Sequence, residues 1–229
     1  METLIQSEGE LLIILQNILH AGWLTPLMKG ITFLSEYGIA EIALCLVLMV
    51  CRKTRRLGII CAASLAFSFL CCNIIVKPIV DRPRPWELFN AVKVLMPDPG
   101  DSSFPSGHSA CAMSVAMAIY LAGRPARNGN KGSEGPGEMR DSVMVPCLGW
   151  GGIVADPRIV QKWGVAAIVF ALLTGLSRIY LGMHFPTDVI AGLILGALSA
   201  YIIHIVFKKI EASRGIIGSK GNNVDGKLG

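Results

Sequence analysis

The twenty residues from Leu57 to Val76 carry no charge. A helix of about that length crosses the hydrocarbon core of a bilayer, whereas a surface helix of a soluble bundle would turn charged residues outward within the same distance. Val189 to Phe207 repeats the pattern, with His204 as its one group able to carry charge near neutral pH. Trp163 to Ile179 and Ser109 to Gly123 are shorter runs of the same kind, and Tyr37 to Cys51 is a fifth, with Glu41 near one end. Composition agrees: 52% of the residues are hydrophobic and 16% are charged, against about 25% charged in an ordinary soluble domain. The expected fold is all-α, an integral membrane bundle of five transmembrane helices occupying 37–208.

The N-terminus reads differently. From Leu11 to Leu34 the apolar residues are interrupted by Gln16, Asn17, His20, Gly22, Pro26 and Lys29. Leu11, Leu12, Leu15, Ile18 and Leu19 share one face at helical spacing, and Trp23 marks a break. Such a segment, 1–36, suits an amphipathic helix lying in the membrane interface; a sixth span is the competing reading. Glu2, Glu8 and Glu10 stand where a cleavable signal peptide would be basic. The stretch 124–162 reads as a long cytoplasmic loop and 209–229 as a flexible cytoplasmic tail. The seven cysteines are an odd number without zinc-site spacing, most of them inside apolar runs, and read as small packing residues.

The net charge of +5 is not a nucleic-acid stripe, because the basic residues cluster between the apolar runs. Arg52, Lys53, Arg55 and Arg56 follow the first run. Arg124, Arg127, Lys131, Arg140, Arg158 and Lys162 lie in the middle loop, and Lys208, Lys209, Arg214, Lys220 and Lys227 follow the last run. Basic loops face the cytoplasm. The acidic N-terminus, the segment from Lys77 to Phe104 and the segment around His184 are then expected outside.

Those outward segments hold the reactive groups. In Lys77-Pro-Ile-Val-Asp-Arg82-Pro-Arg84-Pro85, three prolines are expected to keep three cations on an extended strip, and a guanidinium fork suits phosphate. In Phe104-Pro105-Ser106-Gly107-His108, a helix start offers free N–H groups and a favourable dipole to an anion, with Ser106 adding a hydroxyl and His108 a proton. In Ser177-Arg178-Ile-Tyr-Leu-Gly-Met-His184-Phe-Pro-Thr-Asp188, a carboxylate four residues from a histidine can fix its tautomer and free the other nitrogen to attack. Taken singly, each has a plainer structural reading: a membrane anchor, a helix cap, a chance spacing. Together they supply a nucleophile, an orienting acid, a proton donor and an anion cradle.

These residues resemble the three-part signature of the type 2 phosphatidic acid phosphatase superfamily: Lys77 with Arg84-Pro85, then Pro105-Ser106-Gly107-His108, then Ser177-Arg178 with His184 and Asp188. No position departs from the pattern. The resemblance implies an antiparallel helical bundle with its site at the outer membrane surface. It implies catalysis by His184, His108 and Asp188, with Lys77, Arg84, Ser106, Gly107 and Arg178 holding phosphate, and neither metal nor cofactor. The implied substrate is a lipid phosphate in the bilayer: undecaprenyl diphosphate first, with phosphatidylglycerophosphate or phosphatidate as the alternative. A catalytically idle lipid-binding scaffold is the alternative outside enzymes. Lys29, Arg82 and Lys93 receive no role, and the oligomeric state is not legible.

Overall fold

The computed structural model describes residues 2–124 and 157–222, and every regular element among them is helical. Helix α1 covers Glu2–Leu19, α2 covers Leu24–Leu34 and α3 covers Ile39–Val50, with a short 3-10 turn at Glu36–Gly38 before α3. Helix α4, Arg55–Phe69, continues through a π turn, Leu70–Val76, into the single helical turn α5, Lys77–Val80. A second short turn, α6, is Pro85–Leu88. Then come α7, Gly107–Ala122, α8, Pro157–Tyr180, and α9, Pro186–Asn222.

Three stretches, Arg55–Leu88 (interrupted at residues 81–84), Arg158–Tyr180 and Pro186–Ser213, are long and apolar enough to cross a membrane. Helices α2 and α3, bent by 48° at their junction, make a fourth if they act as one span. The apolar run that continues from α2 therefore lies in helix, but broken at the 3-10 turn. Helix α8 starts upstream of Trp163, so Arg158 and Lys162 belong to its first turns, and the backbone of α9 continues to Asn222 with no proline to stop it. Most of the 124–162 stretch lies outside the described residues.

Helix α7 is the hub, packed against α4, α8 and α9. Its sixteen residues are mostly small, and Ala110, Ala112, Val115, Ala116 and Ala118 are buried. Close approach to α9 depends on Gly192 and Gly196, one turn apart. A Cβ at Gly192 would lie 2.4 Å from the Ser106 carbonyl oxygen, and one at Gly196 would lie 2.3 Å from that of Ala110. Small residues at this spacing are the usual way that apolar helices bring their backbones together. The outer surface remains apolar: Leu172, Leu176, Ile190, Ile194 and Leu198 are all exposed. Such a surface needs lipid rather than water.

Helix α1 turns two polar side chains, Glu8 and Gln16, toward the protein and leaves several apolar ones outside. Glu8, Leu12 and Gln16, spaced four apart, are buried, whereas Leu4, Leu11, Ile14 and Ile18 are exposed. The apolar stripe read from the sequence is thus divided, with Leu12 turned inward. Two anchors hold the helix. Gln16 donates to the Lys93 and Tyr180 carbonyls (2.9 and 3.2 Å) and accepts from the Lys93 N–H (3.0 Å). Glu8 is the second anchor, described below.

All three motif segments lie at one end of the bundle. The α4–α5 stretch ends there, α7 begins there, α8 ends there and α9 begins there. Away from that end, Arg55 and Arg158 lie at the starts of α4 and α8, Arg124 follows the end of α7, and Lys208 lies in the second half of α9.

Candidate active site

Lys77 is delivered by the π turn, whose closing hydrogen bond runs from the Lys77 N–H to the Cys72 carbonyl. A π turn shifts the angular phase of the residues that follow it, and such turns are frequent at functional sites. The strip after it is less extended than its prolines imply. Lys77–Val80 is helical, with Pro78 at its second position, directly after the π turn. Asp81 ends that turn in the left-handed region (φ 42°), and Arg84 (φ −81°, ψ 158°) is extended.

Lys77 and Arg84 are buried and share one partner, Asp101. One carboxylate oxygen of Asp101 takes the Lys77 Nζ and the other takes the Arg84 Nη2. Arg84 also donates its Nε to the Asp101 carbonyl (2.8 Å) and its Nη1 to the Met183 carbonyl (2.9 Å). Burial pushes the Asp101 carboxyl up, but Lys77 and then Arg84 outweigh it and hold it below the usual carboxylate range.

Ser106 caps α7. Its Oγ accepts from the Ser109 N–H (3.5 Å) and the Ser109 hydroxyl (3.0 Å), and the residue is fully buried. The helical ladder begins with the Ala110 N–H on the Ser106 carbonyl (3.0 Å). The N–H groups of Gly107 and His108 therefore stand at the head of the helix without acceptors in it, where the dipole favours an anion.

His184 and Asp188 do not share a helix, as their spacing implies. Pro186 opens α9 and keeps Phe185, the residue before it, out of helical conformation. The pair still face each other, with Asp188 Oδ2 3.7 Å from His184 Nδ1. A nearer acceptor for that nitrogen is the Ser103 carbonyl, at 2.8 Å. Asp188 itself is fully engaged elsewhere: Oδ2 accepts from the Ser103 hydroxyl (2.5 Å) and the Phe185 N–H (2.9 Å), and Oδ1 from Arg82 Nη1 (2.7 Å). Burial, aided by Arg178 and Arg84 and opposed by Asp188, brings the His184 pKa down to about 3. The imidazole is neutral at pH 7. With Nδ1–H donated to a carbonyl, Nε2 carries the lone pair.

Arg178, 2% exposed on the last turn of α8, has Nε and Nη1 without hydrogen-bond partners, and His108 Nε2 has none either. The Glu36 carboxylate faces both, its Oε2 3.8 Å from His108 Nε2 and 4.0 Å from Arg178 Nη1. A buried donor without an acceptor costs about 1–3 kcal/mol. A group bringing several acceptor oxygens to this point would recover that cost.

The structure thus brings together all eight assigned motif residues and adds five: Arg82, which the first motif segment contains without a role, and Glu8, Glu36, Asp101 and Ser103, which lie outside the motif segments. Arg82, without a role in the sequence, links α1 to the site. Besides Asp188, its Nη1 reaches Thr187 Oγ1 (2.8 Å), its Nη2 reaches Glu8 Oε2 (2.6 Å), and its guanidinium lies 4.1 Å from the centre of the Phe185 ring. Glu8 Oε1 also accepts the Thr187 N–H (3.0 Å). A cleft of about 590 Å³ opens beside this cluster, with Lys77, Arg82 and Asp101 in its wall. Among the described residues, no group of three or more His, Cys, Asp or Glu side chains is arranged to hold a metal ion.

An all-helical apolar bundle with four cations and two histidines gathered at one end is the setting for the comparisons with known proteins. The family described as the PAP2 superfamily matches residues 57–212, and the chain belongs to that superfamily. It is 26% identical over 173 residues to an undecaprenyl-diphosphatase of Sulfolobus acidocaldarius, covering 74% of this chain and 66% of that protein. It is 24% identical over 172 residues to the undecaprenyl-diphosphatase BcrC of Bacillus subtilis, covering 74% of this chain and 69% of that one. The fold resembles the crystal structure of a transmembrane PAP2-type phosphatidylglycerolphosphate phosphatase from Bacillus subtilis. That match has a TM-score of 0.63 and 27% identity, and covers 90% of this chain and 88% of the other.

Proposed function

We propose that this protein is a membrane lipid phosphatase. It removes the terminal phosphate of an isoprenoid or glycerolipid phosphate, undecaprenyl diphosphate before others, at the extracytoplasmic face. The observation that carries this reading is Arg178, whose Nε and Nη1 are buried without hydrogen-bond partners beside His108 and a neutral His184 whose Nδ1 is held.

In the proposed reaction, His184 Nε2 attacks phosphorus and forms a phosphohistidine as the bond to the leaving oxygen breaks. His108 gives that oxygen its proton. Water then attacks the phosphohistidine and loses a proton to His108, releasing inorganic phosphate and restoring His184. Lys77, Arg84, Arg178, the Ser106 hydroxyl and the Gly107 N–H stabilise charge on the equatorial oxygens, the dominant contribution in phosphoryl transfer. Asp188 fixes the surroundings of His184. No metal or cofactor is assigned a part.

The proposed arrangement in the membrane has five crossings, counting α3 and α7 with the three long helices, and α1 in the outer interface. Support for the orientation comes from the basic residues at the helix ends opposite the site. The exposed leucines and isoleucines of α1 would border the route by which a lipid tail reaches the cleft.

The test is phosphate release by the purified protein from a panel of undecaprenyl diphosphate, phosphatidylglycerophosphate and phosphatidate, with and without EDTA. Undecaprenyl diphosphate is expected to turn over fastest, EDTA to change nothing and His184→Ala to abolish release. Activity in His184→Ala refutes the mechanism, and loss with EDTA refutes its metal independence. A second substrate reading, phosphatidylglycerophosphate, is favoured by the fold match to a phosphatase of that lipid over 90% of this chain; the same panel ranks the two. A panel without any turnover would leave the lipid-binding scaffold.

A further inference from the structure

Among the described residues, the carboxylate of Glu36 is the one acidic group set against both His108 and Arg178, and the signature does not contain it. It comes from the 3-10 turn Glu36–Gly38, between two helices outside the motif segments. The fold spends specific contacts on bringing it there. Thr32 Oγ1 meets Ser177 Oγ at 2.6 Å, and Ser35 Oγ lies 3.4 Å from Thr174 Oγ1, so the end of α2 is fastened to α8 beside Arg178. All four of these residues are buried.

The charged groups acting on the His108 ring are Glu36, Arg178 on α8 and Lys77 on α5. The other groups nearby are committed elsewhere: Glu41 of α3 accepts from Ser35 Oγ (2.9 Å), Asp188 of α9 holds Arg82, and His184 is bound to the Ser103 carbonyl. Two cations and burial therefore oppose a proton on His108, and one carboxylate favours it. At 3.8 Å, Glu36 Oε2 is too far from Nε2 for a direct hydrogen bond but well within reach of charge.

Building on the phosphatase reading above, we propose that Glu36 is a positioning residue for the proton donor. Its carboxylate faces Nε2 of His108, keeps the imidazolium form available and turns Nδ1 toward the leaving oxygen. No bond to Glu36 forms or breaks. It provides a fixed negative charge while the proton passes from His108 to the leaving oxygen, and again when His108 takes a proton from water.

The alternative for the same geometry is a carboxylate that competes with phosphate for Arg178. Two soluble substrates distinguish them: a short alkyl phosphate, whose alkoxide must be protonated as it leaves, and p-nitrophenyl phosphate, whose phenolate leaves without a proton. Glu36→Gln is expected to lower kcat on the alkyl phosphate about 10²-fold, the scale of general acid catalysis. The loss on p-nitrophenyl phosphate should be only a few-fold. The alkaline limb of kcat/KM should move down by about one pH unit, and Glu36→Asp should restore part of the alkyl-phosphate rate. A lower KM with kcat unchanged on both substrates overturns the proposal in favour of competition. Equal losses on both, with the alkaline limb in place, overturn it in favour of a purely structural role. His108→Ala, run alongside, must show the same dependence on the leaving group. If it does not, the assignment of His108 as proton donor fails first, and separately from the Glu36 result.

Discussion

Nδ1 of His184 lies 2.8 Å from the backbone carbonyl oxygen of Ser103, nearer than the 3.7 Å that separates it from Asp188. A backbone carbonyl accepts hydrogen bonds and never donates them, so it fixes the imidazole tautomer whatever happens to neighbouring side chains. Asp188→Asn should therefore cost kcat only about 10- to 10²-fold, far short of the about 10⁴-fold that follows loss of tautomer control in a serine protease triad. Phosphate release under saturating substrate measures it. A loss near 10⁴-fold would assign the tautomer to Asp188 after all.

Arg82 joins two buried carboxylates, those of Glu8 and Asp188. Removing one partner of such a network strands the others, at a cost of about 3–5 kcal/mol. Arg82→Leu should lower the unfolding temperature in detergent and reduce kcat together. Glu8→Leu in the same chain should recover part of the stability, because one stranded charge is then gone; a double-mutant cycle reads this coupling directly.

His184 gives stability a defined pH dependence. In the unfolded chain a histidine titrates near 6.5, whereas in the fold burial pushes this one down to about 3. Between those values the unfolded state binds the proton and the native state does not, so this contribution to stability is intact above about pH 6.5 and falls as the pH drops toward 3. The unfolding temperature of the wild type should decline on acidification through that window. His184→Gln should flatten the decline, and ¹⁵N spectra of labelled histidine should show one ring still neutral at pH 5.

Gly192 and Gly196 predict a graded packing response. Gly196→Ala forces a Cβ against the Ala110 carbonyl and should destabilise by about 1–3 kcal/mol, the usual cost of overpacking, without altering kcat. Gly192→Ala presses instead on the Ser106 carbonyl at the head of α7. It should lower kcat as well, because that head presents the Gly107 and His108 N–H groups. Thermal melts and turnover measured on the same samples check both.

The motif residues were legible because each carries its chemistry in a side chain at fixed spacing from its neighbours. Lys77, Arg84, His108, Arg178, His184 and Asp188 could be read in that way, and the uncharged run from Leu57 onward identified the membrane helix that leads to them. The supporting residues could not be read so. Ser103 acts through its backbone, which no side chain advertises. Glu36 and Glu8 reach the site only because α2 and α1 fold back onto α8 and the start of α9, contacts that span more than a hundred residues. The π turn before Lys77 was equally hidden, since Leu70–Val76 has the composition of ordinary apolar helix. The strip of prolines misled in part: Pro78 fits the first turn of a helix as readily as an extended chain.

If Lys77 and Arg84 hold the phosphate as proposed, the bridge from Lys77 through Asp101 to Arg84 turns substrate capture into an exchange of anions. A phosphate that engages both cations must win them from a carboxylate tethered to the same loop, whose effective concentration exceeds that of any dissolved ion. Chloride, sulfate or free phosphate meets that incumbent with only its own charge to offer. A lipid phosphate arrives with the binding energy of its tail as well, energy that can be spent on the displacement. On the proposed reading, preference for a membrane-anchored substrate is set as much by the competitor the protein carries as by any contact with the lipid.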